Sequence, residues 1–215
     1  MNSIKTIKLR LVYRNLPFLL FLIFFACDSN PELQTDKLST TTRNSKPNHK
    51  YQQLFDKHPE YVSDGFDYPV GKPDAKGYYN AQGFGGKSHH LGDDWNATTG
   101  GNSDLGHPIY AIANGYINSV KDHKGGWCQV IRMVHKVDTK YVESLYAHCD
   151  KMLVKEGDWV KKGQKIATIG NCEGRYYAHL HLEIRHSPDL PLGGGYSKDT
   201  SGYIDPTIFI KKHRN

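Results

Sequence analysis

Two histidine–aspartate pairs share the stretch S-H-H-L-G-D-D at residues 88–94, with His89 four before Asp93 and His90 four before Asp94. Two further runs carry histidines, Y-A-H-C at 146–149 and A-H-L-H-L-E at 178–183. Imidazole nitrogen and carboxylate oxygen are the ligand types of a hydrolytic zinc site, which takes three protein ligands and keeps one position open. One His-x-x-x-Asp pair plus one histidine of the His-x-His would supply three ligands. The second histidine of the His-x-His would then lie within a few ångströms of the reacting centre.

Local geometry constrains these pairs before any fold is assumed. In a strand, residues two apart point to one face about 6–7 Å from each other, so His179 and His181 face one cavity while Leu180 and Leu182 face the core. Burying two histidines without partners is costly, which argues for a joint polar task. Residues four apart in a strand lie about 13 Å from each other, so the chain must fold back within either His-x-x-x-Asp pair. Gly92 suits such a bend and is the midpoint of His90–Asp94. That is a weak preference for the 90/94 register over 89/93.

The elements that must position these groups are short. From about residue 61, runs rich in Val, Ile and Tyr alternate with Gly, Asp and Asn, which predicts a mainly antiparallel β domain with a barrel-like or sandwiched sheet. Asn114-Gly115 reads as a turn between two such runs. Residues 127–135 and 141–148 read as a hairpin, and 179–186 as the last clear strand. A short helix over 51–57 is the single helical candidate. Residues 51–86 either begin the sheet or cover the site, and the first is favoured.

The set H-L-G-D-D at 90–94, Y-A-H at 146–148 and H-L-H-L-E at 179–183 resembles, in order, the motifs of the lysostaphin/LytM-type zinc endopeptidases. The similarity continues through A-I-A-N-G at 111–115, G-D-W-V-K-K-G-Q-K-I at 157–166 and Asp205-Pro206, and so covers roughly residues 64–210. Position by position, the resemblance implies one zinc ion held by His90, Asp94 and His181, with His148 and His179 as the catalytic histidines. It also implies a β-rich groove of the duplicated hybrid motif type, and peptide cross-links or stems of peptidoglycan as substrate. Two alternatives stand beside it: a silent member of the same fold that binds peptidoglycan or activates an amidase, and a zinc endopeptidase acting on a protein. Glu183 shares a strand face with His179 and His181, as a hydrogen-bond partner to a ligand or a plain surface carboxylate. Tyr146, Tyr176 and Tyr177 are either substrate contacts or packing residues. His135 is read as structural, and His49, His58, His107, His123, His186 and His213 as surface or tether histidines.

The remaining sequence bounds where this chemistry takes place. Lys5, Lys8, Arg10 and Arg14 precede an uncharged run from Leu16 to Ala26, followed by Cys27, the order of an export signal. It resembles a bacterial lipoprotein signal over residues 1–26, with Cys27 as the lipidated residue and a membrane contact. The chain is expected in the cell envelope, in the periplasm or on the outer surface, as a membrane-anchored monomer. Residues 27–60 read as a polar tether, of which 28–50 could reach at most about 80 Å, and 61–215 as the metallopeptidase domain with its motif core at 88–187. The full chain has 28 basic and 22 acidic residues; losing the four basic residues of 1–26 leaves 24 against 22, a net charge of +2. No basic footprint for nucleic acid remains. Beyond Cys27 stand Cys128, Cys149 and Cys172, an odd number, so one stays unpaired within the chain, and spacing selects no pair.

Overall fold

A computed structural model describes residues 49–215. The expected signal peptide, Cys27 and the tether up to residue 48 lie outside the described residues. Ten strands run in the order β1 (Tyr78–Gln82), β2 (Asp93–Ala97), β3 (Pro108–Tyr110), β4 (Gly115–Asp122), β5 (Gln129–Val137), β6 (Lys140–Met152), β7 (Trp159–Val160), β8 (Lys165–Ile169), β9 (Leu180–Arg185) and β10 (Tyr203–Ile204). Helices α1 (His49–Lys57) and α2 (Pro206–His213) stand at the two ends. All strand pairs are antiparallel. The main path is β1-β2-β9-β6-β5-β4-β7, while β10 pairs with β9 and β8 joins β3 to β6. The mainly antiparallel β class read from the sequence is therefore the class observed.

Alternation along β9 separates core from site. Leu180, Leu182 and Ile184 are fully buried in the main apolar cluster with Ile117, Ile131, Met133, Ile166 and Ile169. Each such side chain contributes about 1.5–3 kcal/mol by leaving water. His181, Glu183 and Arg185 alternate with them and are buried on the other face. Neighbouring β6 places Ala147 opposite His181, Leu145 opposite Glu183 and Glu143 opposite Arg185.

Several local expectations need adjustment. The β5–β6 hairpin is tighter than the residue composition suggested, because the strands extend until only Asp138 and Thr139 separate them. Asp138 takes φ +52° there, a left-handed conformation that Asp tolerates. Asn114-Gly115 does not close a hairpin: β3 pairs with β8, and β4 with β5 and β7. A Cβ on Gly115 would meet the Val134 carbonyl oxygen at 2.3 Å, so its glycine serves close packing. Helix α2 was not expected, although its start was legible in Asp205-Pro206. The Asp205 side chain accepts a hydrogen bond from the Ile208 amide, with Pro206 in the first turn.

The folded unit also starts earlier than residue 61. In α1, Tyr51 and Phe55 lie one turn apart on one face and are buried. Phe55 packs edge-on against Trp159 at 5.0 Å, and the Tyr51 hydroxyl donates to Asn118 Oδ1 at 2.6 Å. Residues 49–60, assigned to the tether from composition, are thus part of the packed domain, because a nine-residue helix with one apolar face can dock on a sheet that composition alone does not reveal. Strand β1 pairs with β2, so residues 78–82 do begin the sheet.

His135 is structural, as expected. It is completely buried, its Nδ1 contacts the Asn114 carbonyl at 2.9 Å and its Nε2 contacts Ser144 Oγ at 2.7 Å. Burial pushes its pKa down from 6.5 to about 4, only partly opposed by the Asn114 contact. Because the folded value lies below the unfolded one, this contribution to stability is present above pH about 6.5 and is lost as pH falls towards about 4. In urea titrations of metal-free protein, the parent should lose roughly 3 kcal/mol more than His135→Gln between pH 7.5 and 4. Equal losses would contradict a neutral buried imidazole.

Candidate active site

Three of the histidines and aspartates read from sequence converge, each bringing one nitrogen or oxygen close to the other two. His90 Nε2 lies 3.0 Å from His181 Nδ1, His181 Nδ1 lies 2.9 Å from Asp94 Oδ1, and His90 Nε2 lies 3.4 Å from Asp94 Oδ1. Strand β9 carries His181 directly opposite Asp94 of β2. His90 is brought in by an isolated bridge to Gly85 and by its Nδ1, 3.1 Å from the Gln82 carbonyl. That carbonyl can only accept, so Nδ1 carries the proton and Nε2 is left as a free donor of electrons.

Gly92 permits this approach, though not by the bend expected of it. It is absent from the left-handed glycines; instead, a Cβ there would lie 2.4 Å from the Leu182 carbonyl oxygen and 3.0 Å from His181 Cε1. Only a residue without a side chain lets this loop press against β9. The competing register is not assembled. His89 is exposed, and Asp93 is buried, accepting from Phe84 N at 3.2 Å and from Thr207 Oγ1 at 2.6 Å. Asp93 is therefore a structural link to α2.

The other two histidines stand alongside. The His148 ring is 4.7 Å from that of His179 and 5.7 Å from that of His181. His179 Nδ1 lies 2.8 Å from the Tyr177 carbonyl, and its Nε2 lies 4.0 Å from Asp94 Oδ1. The carbonyl again fixes the proton on Nδ1 and leaves Nε2 turned towards the cluster. His148 sits where the β5–β6 register shifts, with φ +59°, a conformation uncommon for a residue with a Cβ and common at functional sites. Gly170 packs against this bend, since a Cβ there would meet the His148 carbonyl oxygen at 2.6 Å.

Electrostatics sort the groups by role. For Asp94, burial would raise the pKa, but the contacts with His181 and His90 outweigh it and hold the carboxyl well below the usual range. For His181, burial works downward, yet contacts with Asp94 and Glu183 push its pKa up to about 9. Burial, reinforced by His179 and His181, pushes His148 down to about 3, so it is neutral at physiological pH. Three electron-pair donors from His90, Asp94 and His181 are crowded into a space where protons can satisfy them only in part. A tetrahedral ion with ligand bonds of about 2.0–2.1 Å spaces its ligands roughly 3.3 Å apart, close to the 2.9–3.4 Å found here. The donor set fits zinc.

Behind His181 lies a buried charge ladder. His181 Nε2 is 3.2 Å from Glu183 Oε1, and Arg185 Nε donates to Glu183 Oε2 at 2.8 Å. Glu183 is thus a partner of His181, not a surface carboxylate. Arg185 also donates to the carbonyls of Pro191 and Leu192, and Arg132 bonds Glu143 at 2.8 Å. Breaking one member of such a ladder leaves an uncompensated buried charge, a loss of about 3–5 kcal/mol.

The cluster opens into a cleft of about 410 Å³ lined by Gln82, Trp127, His148, Tyr176, His179 and Tyr196, among others. Trp127 meets the His181 ring edge-on at 5.4 Å, and its Nε1 donates to the Gly193 carbonyl. Neither Trp127 nor Tyr196 carried a sequence signal, since a single aromatic in a loop has no period or spacing to betray it. Tyr176 lines the cleft and Tyr177 is exposed, whereas Tyr146 is fully buried and accepts a hydrogen bond from the Ile112 amide. Tyr146 is a packing residue.

With this geometry in place, comparison with known proteins defines the class. The chain belongs to peptidase family M23, whose family model matches residues 88–199. Lipoprotein NlpD of Yersinia enterocolitica is 44% identical over 81 residues, covering 38% of this chain and 79% of that protein. Murein hydrolase activator NlpD of Salmonella dublin is 38% identical over 100 residues, covering 44% of this chain and 26% of that protein. Peptidoglycan DD-endopeptidase ShyB of Vibrio cholerae is 35% identical over 104 residues, covering 44% of this chain and 23% of that protein. The chain thus spans about a quarter of the length of the last two relatives. Lysostaphin from Staphylococcus simulans shares the fold, with a TM-score of 0.51 and 24% identity over 70% of this chain and 55% of that one.

Proposed function

We propose that this chain is a zinc-dependent endopeptidase that hydrolyses peptide cross-links or stems of peptidoglycan. The observation that carries this reading is the convergence of His90, Asp94 and His181, whose ligand atoms lie within 4.8 Å of one another, with both further histidines at their side. His90 through Nε2, Asp94 through Oδ1 and His181 through Nδ1 would hold one zinc ion. Bound there, zinc supplies Lewis-acid polarisation of a scissile carbonyl and lowers the pKa of water.

The chain's own residues would do the rest. His179 presents a bare Nε2 beside Asp94 Oδ1 and so can accept a proton there. His148, neutral in its buried setting, can orient the attacking water through its ring. Trp127, Tyr176 and Tyr196 wall the cleft and would hold an extended peptide between them. Glu183 and Arg185 keep the His181 ring from turning. The similarity to proteins named as lipoproteins supports a place in the cell envelope, which goes with export through residues 1–26 and lipidation of Cys27; the chain would act there as a monomer.

A second reading, activation of a murein hydrolase without catalysis, is favoured by the similarity to the Salmonella NlpD. Zinc dependence separates the two. Metal-stripped protein should leave purified cross-linked peptidoglycan intact, and one equivalent of zinc should restore solubilisation without any added amidase. Stimulation of an amidase by metal-stripped protein, with no solubilisation by the zinc-loaded form alone, would favour the second reading.

A further inference from the structure

Two loops wall the cleft on the His148 side. Residues 123–128 join β4 to β5 and bring Gly126 and Trp127 to the cleft, and residues 170–179 join β8 to β9 and bring Tyr176. A disulfide between Cys128 and Cys172 ties the two loops together, 44 residues apart in sequence. Cys172 Sγ also lies 3.4 Å from His148 Nδ1, in a buried contact. Cys128, His148 and Cys172 have φ of +53°, +59° and +53°. All three are in the left-handed region, which is uncommon for residues with a Cβ.

The chemistry of that contact is directional. A disulfide sulfur has no hydrogen and can only accept, so a hydrogen bond in this contact requires the proton of a neutral His148 imidazole on Nδ1. The opposite side of the ring, Nε2, is then a bare lone pair. We propose that the Cys128–Cys172 disulfide is a positioning group for His148, fixing its tautomer with Nε2 free and holding the cleft walls on either side. The proposal rests on the reading of His148 as a proton-handling group of the peptidase.

Redox sensitivity follows. Reduction by an external dithiol transfers two electrons and two protons to the disulfide, leaving thiols on Cys128 and Cys172 and an oxidised dithiol. The Cys172 thiol can donate its hydrogen to Nδ1, which favours the opposite tautomer, with the proton on Nε2. Cys149 does not provide an internal route. It lines the same depression as Cys128 and Cys172, but burial pushes its thiol up to about 12, so almost no thiolate is present to attack.

The test compares zinc-loaded parent with Cys128→Ala/Cys172→Ala. Nitrogen-15 spectra of the His148 ring should show the proton on Nδ1 in the parent and lose that pattern in the variant. Zinc stoichiometry and KM should be unchanged, while kcat falls about tenfold or more. A parent with the proton on Nε2, or a variant that keeps both the parent tautomer and its kcat, would overturn the proposal. If the variant does not fold, the parent spectrum alone decides. A parent that hydrolyses no peptide would count against the peptidase reading, while the ring spectrum would still decide the role of the disulfide.

Discussion

His181→Ala is expected to bind no zinc. The side chain supplies one of three converging donors, and its Nδ1 lies within 3.0 Å of both others. Two donors remain after its loss, and the Asp94 carboxyl loses its largest favourable contact. Zinc content measured by atomic spectroscopy should fall from one ion per chain to near zero. A second readout follows from linkage. An ion that binds only the folded state at a thousand times its dissociation constant adds about 4 kcal/mol of stability, so zinc should raise the melting temperature of the parent and not of the variant. A variant that keeps stoichiometric zinc would remove His181 from the ligand set.

His148→Ala should do the reverse, keeping zinc and losing turnover. Its ring stands 5.7 Å from that of His181 and outside the group of three ligand atoms, so its removal leaves the donor set intact. A positioned proton-transfer group contributes about 10²–10⁴ to rate, and turnover should fall by that order with KM little altered. Parallel measurement on both variants gives the contrast its force. Loss of zinc from both would mean that His148 is a ligand or that the site collapses as one unit, and either result would undo the division of roles drawn here.

The legible part of this molecule was the part written in period and spacing. Leu180 and Leu182 alternate with His179 and His181, and that period of two placed the leucines in the core and His181 in the site before any fold was known. Of the two His-x-x-x-Asp pairs, the structure gathers His90 and Asp94 beside His181, for a reason that is only partly local. Gly92 matters because β9 passes too close for a side chain, and close approach between strands distant in sequence leaves no local trace. The Cys128–Cys172 pairing was invisible for the same cause. It depends on two loops meeting at a bend at His148 that no periodicity announces. Helix α1 was foreseen as a helix but assigned to the tether, because the aromatic surface that receives Phe55 is assembled from Tyr141 and Trp159, far along the chain.

Endopeptidase activity is tested by digestion of purified cross-linked peptidoglycan with the zinc-loaded protein, beside its His148→Ala variant, with released fragments identified by mass spectrometry. The proposed activity predicts that cross-linked dimers disappear with the parent alone and that the new fragment ends identify the severed peptide bond. Dimers left intact by folded, zinc-loaded parent would contradict a peptidoglycan endopeptidase.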